Sequence, residues 1–359
     1  MLTHMKNFFY GAFALSLTTI AGQASESEWS QLDKEVEALS MSLTQGGDGP
    51  TLGGRVSTYY TSSSDVMVGA DDLGGFILPD ARVDLSGSVG EYGYRIQYNF
   101  GDGSLGDGGA GLLDAYIEIP VGELKATVGQ YRPPILRSGL THGNRLAFAQ
   151  RSELGLLFSG RDAGGMLAGN FDAIGWWLAV MNGGAANTGD ELMVAGRVAF
   201  DFLGAGAGDS EGSYGASDDP SGTVAAAFFA DGESDGDGFV VEAAIATSVY
   251  SVSFELAALG GDLATELYVP GAAMPLSTVE GDSSPFSIAG TYMLQPDVWE
   301  LGARFQTVDN AADTTKIDVA VTRFVQGHDL KYQAQFSQSD SDPGGFDGSV
   351  ILLGMMLSF

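Results

Sequence analysis

The chain has 359 residues, 46 of them Asp or Glu against 16 Lys or Arg, for a formal charge of −30. That charge excludes a nucleic-acid binder, which needs a basic footprint, and the lack of any cysteine excludes disulfide scaffolds, thiolate zinc sites and cysteine nucleophiles. Fifty-three glycines with only 17% charged residues are unusual for a soluble enzyme and ordinary for a membrane β-barrel, while 44% hydrophobic content is too high for an acidic disordered chain.

In chain order, residues 1–24 read as an export signal. Lys6 precedes the uncharged, largely apolar run Asn7–Ile20, and the small residues Gly22 and Ala24 stand where a signal peptidase cuts. Over 25–45, Trp29, Leu32, Val36, Leu39 and Leu43 recur at alternating spacings of three and four, which predicts a helix with a coiled-coil seam. So short a helix needs a partner, either copies of itself in an oligomer or the surface of its own domain. Residues 46–52, Gly/Asp/Pro-rich, form a linker to the rest. No later stretch approaches the roughly 18 apolar residues of a spanning helix.

From residue 53 onward apolar and polar residues alternate with period two, in runs about ten long, the length of a tilted membrane-crossing strand. The predicted strands are 53–62, 79–89, 91–100, 111–119, 123–131, 161–171, 174–182 and 191–202 in the first half. The second half adds 222–230, 238–248, 249–259, 285–294, 297–307, 315–325, 328–338 and 348–359. Sixteen is an even number, and short turns alternate with longer links, so the predicted fold is all-β: one sixteen-stranded antiparallel transmembrane barrel over 53–359, its last strand pairing with its first. One link departs from the alternation. Residues 203–221, rich in Gly, Asp and Ser, are long on the short-turn side, so either that turn is extended or a strand is misplaced. At the other end, Phe359 follows Ile351, Leu353, Met355 and Leu357 on one face, similar to the terminal signal read by barrel-insertion machinery.

The basic residues are few and clustered. Arg132, Arg137, Arg145, Arg151 and Arg161 fall within or beside the longest connection, 132–160, whose apolar stretches Ile135–Leu136 and Leu146–Ala149 predict that it folds inward onto the wall. There its arginines would narrow the lumen as an electrostatic filter; the alternative is a loop over the mouth, its arginines pairing Glu153, Asp162 or lipopolysaccharide phosphates. Arg55, Arg82, Arg95, Lys125, Arg197, Arg304, Lys316 and Lys331 have the polar parity of their strands, which in a barrel is the lumen. Arg323 has the outward parity and belongs at a rim.

Gly129-Gln130-Tyr131-Arg132-Pro133-Pro134, Gln150-Arg151-Ser152 and Gly160-Arg161-Asp162-Ala163-Gly164 together resemble the phosphate-selective (polyphosphate-type) porin family. The resemblance implies a sixteen-stranded homotrimer of the Gram-negative outer membrane, an inward-folded third external loop and a basic lumen for anions. It also implies that Arg132, Arg151 and Arg161 hold the equivalent loop and strand-end positions. The strongly acidic surface outside the lumen departs from a dedicated phosphate collector.

Other chemistry finds little support. After signal removal only His142 and His328 remain, neither near a G-x-S-x-G, so no hydrolase site is predicted. Asp231, Glu233 and Asp235 with Glu242 approach a calcium-loop spacing, but predicted strands flank them and an acidic hairpin tip is the simpler reading. No cofactor motif is present. Two functions follow: a passive channel for small hydrophilic solutes that prefers anions, or a structural or adhesive barrel with acidic loops and a largely closed lumen. The Arg, Gln, Ser and Asn of the lumen parity favour the channel.

Overall fold

The computed structural model describes residues 49–64, 73–105, 109–183, 191–232, 236–260, 282–309, 313–341 and 347–359. The predicted export signal, and the seam of Trp29, Leu32, Val36, Leu39 and Leu43, lie outside the described residues. Residues from Pro50 form one closed antiparallel barrel of sixteen strands, each paired with its chain neighbours and β1 paired with β16. The strands are β1 (Thr51–Ser64), β2 (Leu73–Val89), β3 (Tyr92–Asn99), β4 (Gly111–Val121), β5 (Leu124–Tyr131), β6 (Asp162–Phe171), β7 (Ile174–Met181) and β8 (Met193–Leu203). They continue with β9 (Ser221–Asp231), β10 (Gly236–Ala246), β11 (Tyr250–Gly260), β12 (Phe286–Gln295), β13 (Trp299–Thr307), β14 (Thr315–Gln326), β15 (Leu330–Asp340) and β16 (Gly348–Ser358).

Period-two alternation makes these strands because it places every second side chain on one face of the wall. The faces are inverted relative to a water-soluble protein. On β13, Trp299, Leu301 and Phe305 point outward, while Glu300, Arg304 and Gln306 point inward and are buried. On β15, Tyr332 and Phe336 are outward, with Lys331, Gln333 and Gln335 inward. An exposed apolar band of this extent suits lipid rather than water. Arg323 extends on the outer face beside Trp299, its guanidinium carbon 5.7 Å from the ring centre.

Two places differ from the alternation rule, each for a local reason. The second strand begins at Leu73 rather than 79, running through Pro79; the β1–β2 register shifts between Ser57 and Tyr59, and that bulge accommodates a residue without an N–H. Residues 203–221 hide no strand, since β8 and β9 pair directly from Met193↔Asp231 to Leu203↔Gly222. The turn is extended, and it does not stay at the rim.

Closure of β1 on β16 runs from Ser64↔Ser349 to Arg55↔Ser358 and continues to Phe359. The Gly54 amide donates to the Phe359 carbonyl at 2.9 Å and the Phe359 amide returns a bond to the Gly54 carbonyl at 3.0 Å. A Cβ at Gly54 would lie 2.5 Å from the Phe359 ring and 2.7 Å from the Arg82 carbonyl oxygen, so this seam position has room only for glycine.

Candidate functional site

Among the described residues, two segments that enter from opposite ends shape the lumen. The first is the connection between β5 and β6. It carries α1 (Arg137–Leu140), a single 3-10 turn (Gly143–Arg145) and α2 (Glu153–Leu157), whose first turn is capped by the Ser152 hydroxyl accepting from the Gly155 amide at 2.9 Å. Its apolar residues Ile135, Leu136, Leu154 and Phe158 pack on Ala195, Ala227, Phe229, Val240, Ala257 and Leu259 of β8–β11. Full burial of four such side chains is worth about 1.5–3 kcal/mol each, enough to hold the segment against the wall. The alanines make the space, and Phe158 meets Phe229 edge-on at 5.5 Å.

Further along, the segment is bound by the polar wall of β13–β15. The Lys331 ammonium donates to the Leu146 carbonyl at 2.6 Å, the Thr322 hydroxyl to the Ala147 carbonyl at 3.2 Å, and Lys316 to Glu153 at 2.7 Å. Arg304 donates to the carbonyls of Gln150 and Arg151, pairs with Asp318 at 2.8 Å and lies over the Phe148 ring. Arg197 donates to the Ile135 carbonyl at 2.8 Å and pairs with Glu242. These wall cations do point inward, as their parity predicts, but the loop covers them.

The arginines of the loop are engaged by the loop, by the wall and by the β8–β9 turn. Arg151 is wholly buried and donates to the carbonyls of Ser138 and Thr141, so it does not face a passage, in correction of the filter role read for it from sequence. Arg132 donates to the carbonyls of Leu140 and Thr141, and Arg161 pairs with Asp114 at 2.9 Å. Arg137 donates to the carbonyls of Ala207, Gly208 and Ser210, and Arg145 pairs with Asp209. A segment with two prolines and three short helical turns leaves many carbonyls without backbone partners, and guanidinium groups satisfy several at once.

The second segment is the β8–β9 turn, 203–221. Glu211 donates its amide to the Arg145 carbonyl, Ser213 donates its amide to Glu300 at 2.6 Å, and the Tyr214 ring stacks on Phe324 with centroids 4.1 Å apart. Sequence alternation did not reveal this course. A signal for the covered wall was nevertheless there: Ala195, Ala227, Ala257, Phe229 and Val240 are apolar on the lumen parity, which requires something apolar above them.

On the opposite side, against β1–β3, a cavity of about 480 Å³ remains open. Arg55, Arg82, Arg95, Asp84 and Gln97 line it from the wall, His142 and Asn144 from the loop tip. Arg55 and Arg82 share Asp80 at 2.9 and 2.7 Å, while Arg95 forks onto Asp84 and lies 3.7 Å from Asp114. Arg55 and Arg82 are cross-strand neighbours, and Arg95 leaves a fifth of its side chain accessible. Lys125, near the rim on the same parity, pairs with Glu118 at 2.7 Å.

The calcium spacing is not realised. Glu242 lies six register steps below the β9–β10 tip, about 20 Å along the strand, and is engaged by Arg197 and the Arg137 amide, whereas Asp231 stands at the tip. Glu233 and Asp235 lie outside the described residues, and no cluster of three metal-ligating side chains occurs among the described ones.

Solved structures of bacterial porins have a similar fold. The chain is similar to the anion-selective porin from Comamonas acidovorans at 13% identity and TM-score 0.57, covering 87% of this chain and 99% of that one. It is similar to OprB of Pseudomonas putida at 9% identity and TM-score 0.60, covering 90% and 97%, and to a Rh. blastica porin variant at 14% identity and TM-score 0.52, covering 86% and 100%. No protein-family model and no curated protein matches the sequence. At these identities the likeness is one of fold.

Proposed function

We propose that the protein is an outer-membrane porin, a passive diffusion channel for small hydrophilic solutes with a preference for anions, phosphate among them. The observation that carries this reading is the cavity of about 480 Å³ beside the loop, with three guanidinium groups on one wall. Arg55, Arg82 and Arg95 are held by Asp80 and Asp84 but stay beside the cavity, where low surrounding dielectric lets a charge act at short range with little screening. The acidic external residues act from a distance and are screened beyond about 8 Å at physiological salt. Local arginines therefore govern ion preference despite the net charge of −30. In this reading residues 1–24 are removed on export, the segment 25–45 supports a homotrimer in the Gram-negative outer membrane, and Phe359 serves recognition by insertion machinery.

The test is the reversal potential in planar bilayers under a salt gradient. Wild-type channels are expected to be modestly anion-selective, more so as salt rises from about 0.01 to 0.15 M and the loop charges are screened. Replacing Arg55, Arg82 and Arg95 by Gln should move the potential toward cations. A cation-selective wild type that the triple substitution leaves unchanged refutes the anion reading.

A further inference from the structure

We propose that the β8–β9 turn is a second constriction element, a strap that enters the lumen from the end opposite the β5–β6 loop and seals the β10–β15 side, so that permeation is confined to the arginine-bearing wall of β1–β3. The inference rests on the channel reading above and deepens it by assigning what steers solutes.

The strap leaves β8 at Leu203 and crosses to the far wall. The Ala207 amide donates to the Thr223 hydroxyl at 2.8 Å, and the next residues hand three carbonyls to Arg137 of the loop. Glu211 then bonds the loop twice: its amide donates to the Arg145 carbonyl at 2.9 Å, and its carboxylate accepts from the Ala147 amide at 3.4 Å. Ser213, wholly buried, spans β12 and β13 through Thr291 at 3.0 Å and Glu300. Tyr214 reaches furthest, between Phe324 of β14 and His328 in the β14–β15 turn. The return runs under β10–β11, where the Ser248 amide donates to the Ser217 carbonyl at 2.8 Å.

Three features set this apart from a slack connection. Its five glycines, Gly204, Gly206, Gly208, Gly212 and Gly215, all take positive φ, so glycine here specifies a path rather than leaving one open. A Cβ at Gly212 would meet the Glu300 carboxylate at 2.7 Å. A void between strap and loop measures about 30 Å³, lined by Arg137, Glu211, Glu255 and Arg304 among others, room for little more than a bound water. The two segments act as one partition. Behind it lie the carboxylates of Glu242, Glu255 and Glu300, all on inward parity and buried. The cations Arg197, Arg304 and Lys331 stand on the same covered wall, so the strap both narrows the channel and decides which wall a solute meets.

The experiment compares the full chain with a variant in which 204–220 is replaced by Asn-Gly, both folded into bilayers, with heat-modifiable migration on gels confirming the barrel. Single-channel conductance should rise at least about twofold. A second variant, Tyr214→Ser with Glu211→Gln, keeps the chain length, removes two of the anchors, the Tyr214 stack on Phe324 and the Glu211 carboxylate, and should give flickering openings above the wild-type level. A wild type that is closed and opens on shortening overturns the open path along β1–β3. Conductance unchanged in the shortened barrel overturns it; if the shortened chain does not fold, a steady wild-type level in the anchor variant does so. A cation-selective wild type whose conductance still rises on shortening overturns the anion preference and leaves the strap standing.

Discussion

Replacing Arg151 by Lys separates an arginine that filters ions from one that builds the loop. Its guanidinium is wholly buried and donates from two nitrogens to the Ser138 and Thr141 carbonyls, fastening α1 to the start of α2. A charged donor to a carbonyl is worth about 1.5–3 kcal/mol, so the pair contributes about 3–6 kcal/mol to docking of the loop. Lysine keeps the charge and loses the planar fork that spans the two carbonyls, so one of the two bonds is lost; the Thr141 carbonyl keeps its bond from Arg132. The ratio of docked to undocked form should fall by about one to two orders of magnitude for Arg151→Lys. The assay is limited proteolysis of the folded barrel, scored for cleavage within 132–161, with conductance noise as an independent readout. Arg151→Lys and Arg151→Ala should both expose the segment and raise current noise, while the barrel keeps its heat-modifiable migration. If Arg151→Lys is as resistant and as quiet as wild type, the charge matters and the fork does not, and the structural role assigned to Arg151 is refuted.

Other outcomes follow from single contacts. Burial, with the Lys331 ammonium and the Arg145 guanidinium nearby, pushes His328 down to about 4 from about 6.5 in an unfolded chain. The unfolded or undocked form therefore binds more protons between those values, so docking of Tyr214 is at full strength above about pH 6.5 and weakens as pH falls toward 4; Tyr214 emission or channel noise followed from pH 7 to 4 should show this, and His328→Gln should flatten it. Gly54→Val should impair closure between β1 and β16, because a side chain there meets both the Phe359 ring and the Arg82 carbonyl; loss of heat-modifiable migration is the readout, and wild-type folding yield would contradict it. Gly212→Ala, at φ +84° and against the Glu300 carboxylate, should cost about 1 kcal/mol or more in strap docking and raise conductance partway toward the shortened variant.

What the amino-acid order determines here is the wall. A period of two is local: it needs only each residue's preference for lipid or for a polar interior, and Trp299, Leu301 and Phe305 against Glu300, Arg304 and Gln306 declare it without reference to anything distant. Strand number and the β1–β16 pairing followed from that pattern, and the inward parity of Lys316 and Lys331 was legible for the same reason. What fills the lumen is another matter. Which carbonyl Arg151 meets, and whether Arg304 faces water or lies under Phe148, depends on how a thirty-residue loop lands on a wall brought together from β8 to β15. Composition suggested that basic residues near the loop would be free to act on solutes; tertiary structure paired Arg145 and Arg161 with Asp209 and Asp114 and used Arg132, Arg137 and Arg151 to satisfy backbone carbonyls, because an irregular segment inside a barrel has no ladder to do so. The course of 203–221 was decided in the same way. Its glycines looked like slack in one dimension, and only the positions of Arg137, Glu300 and Phe324 on other elements turn them into a fixed path across the lumen.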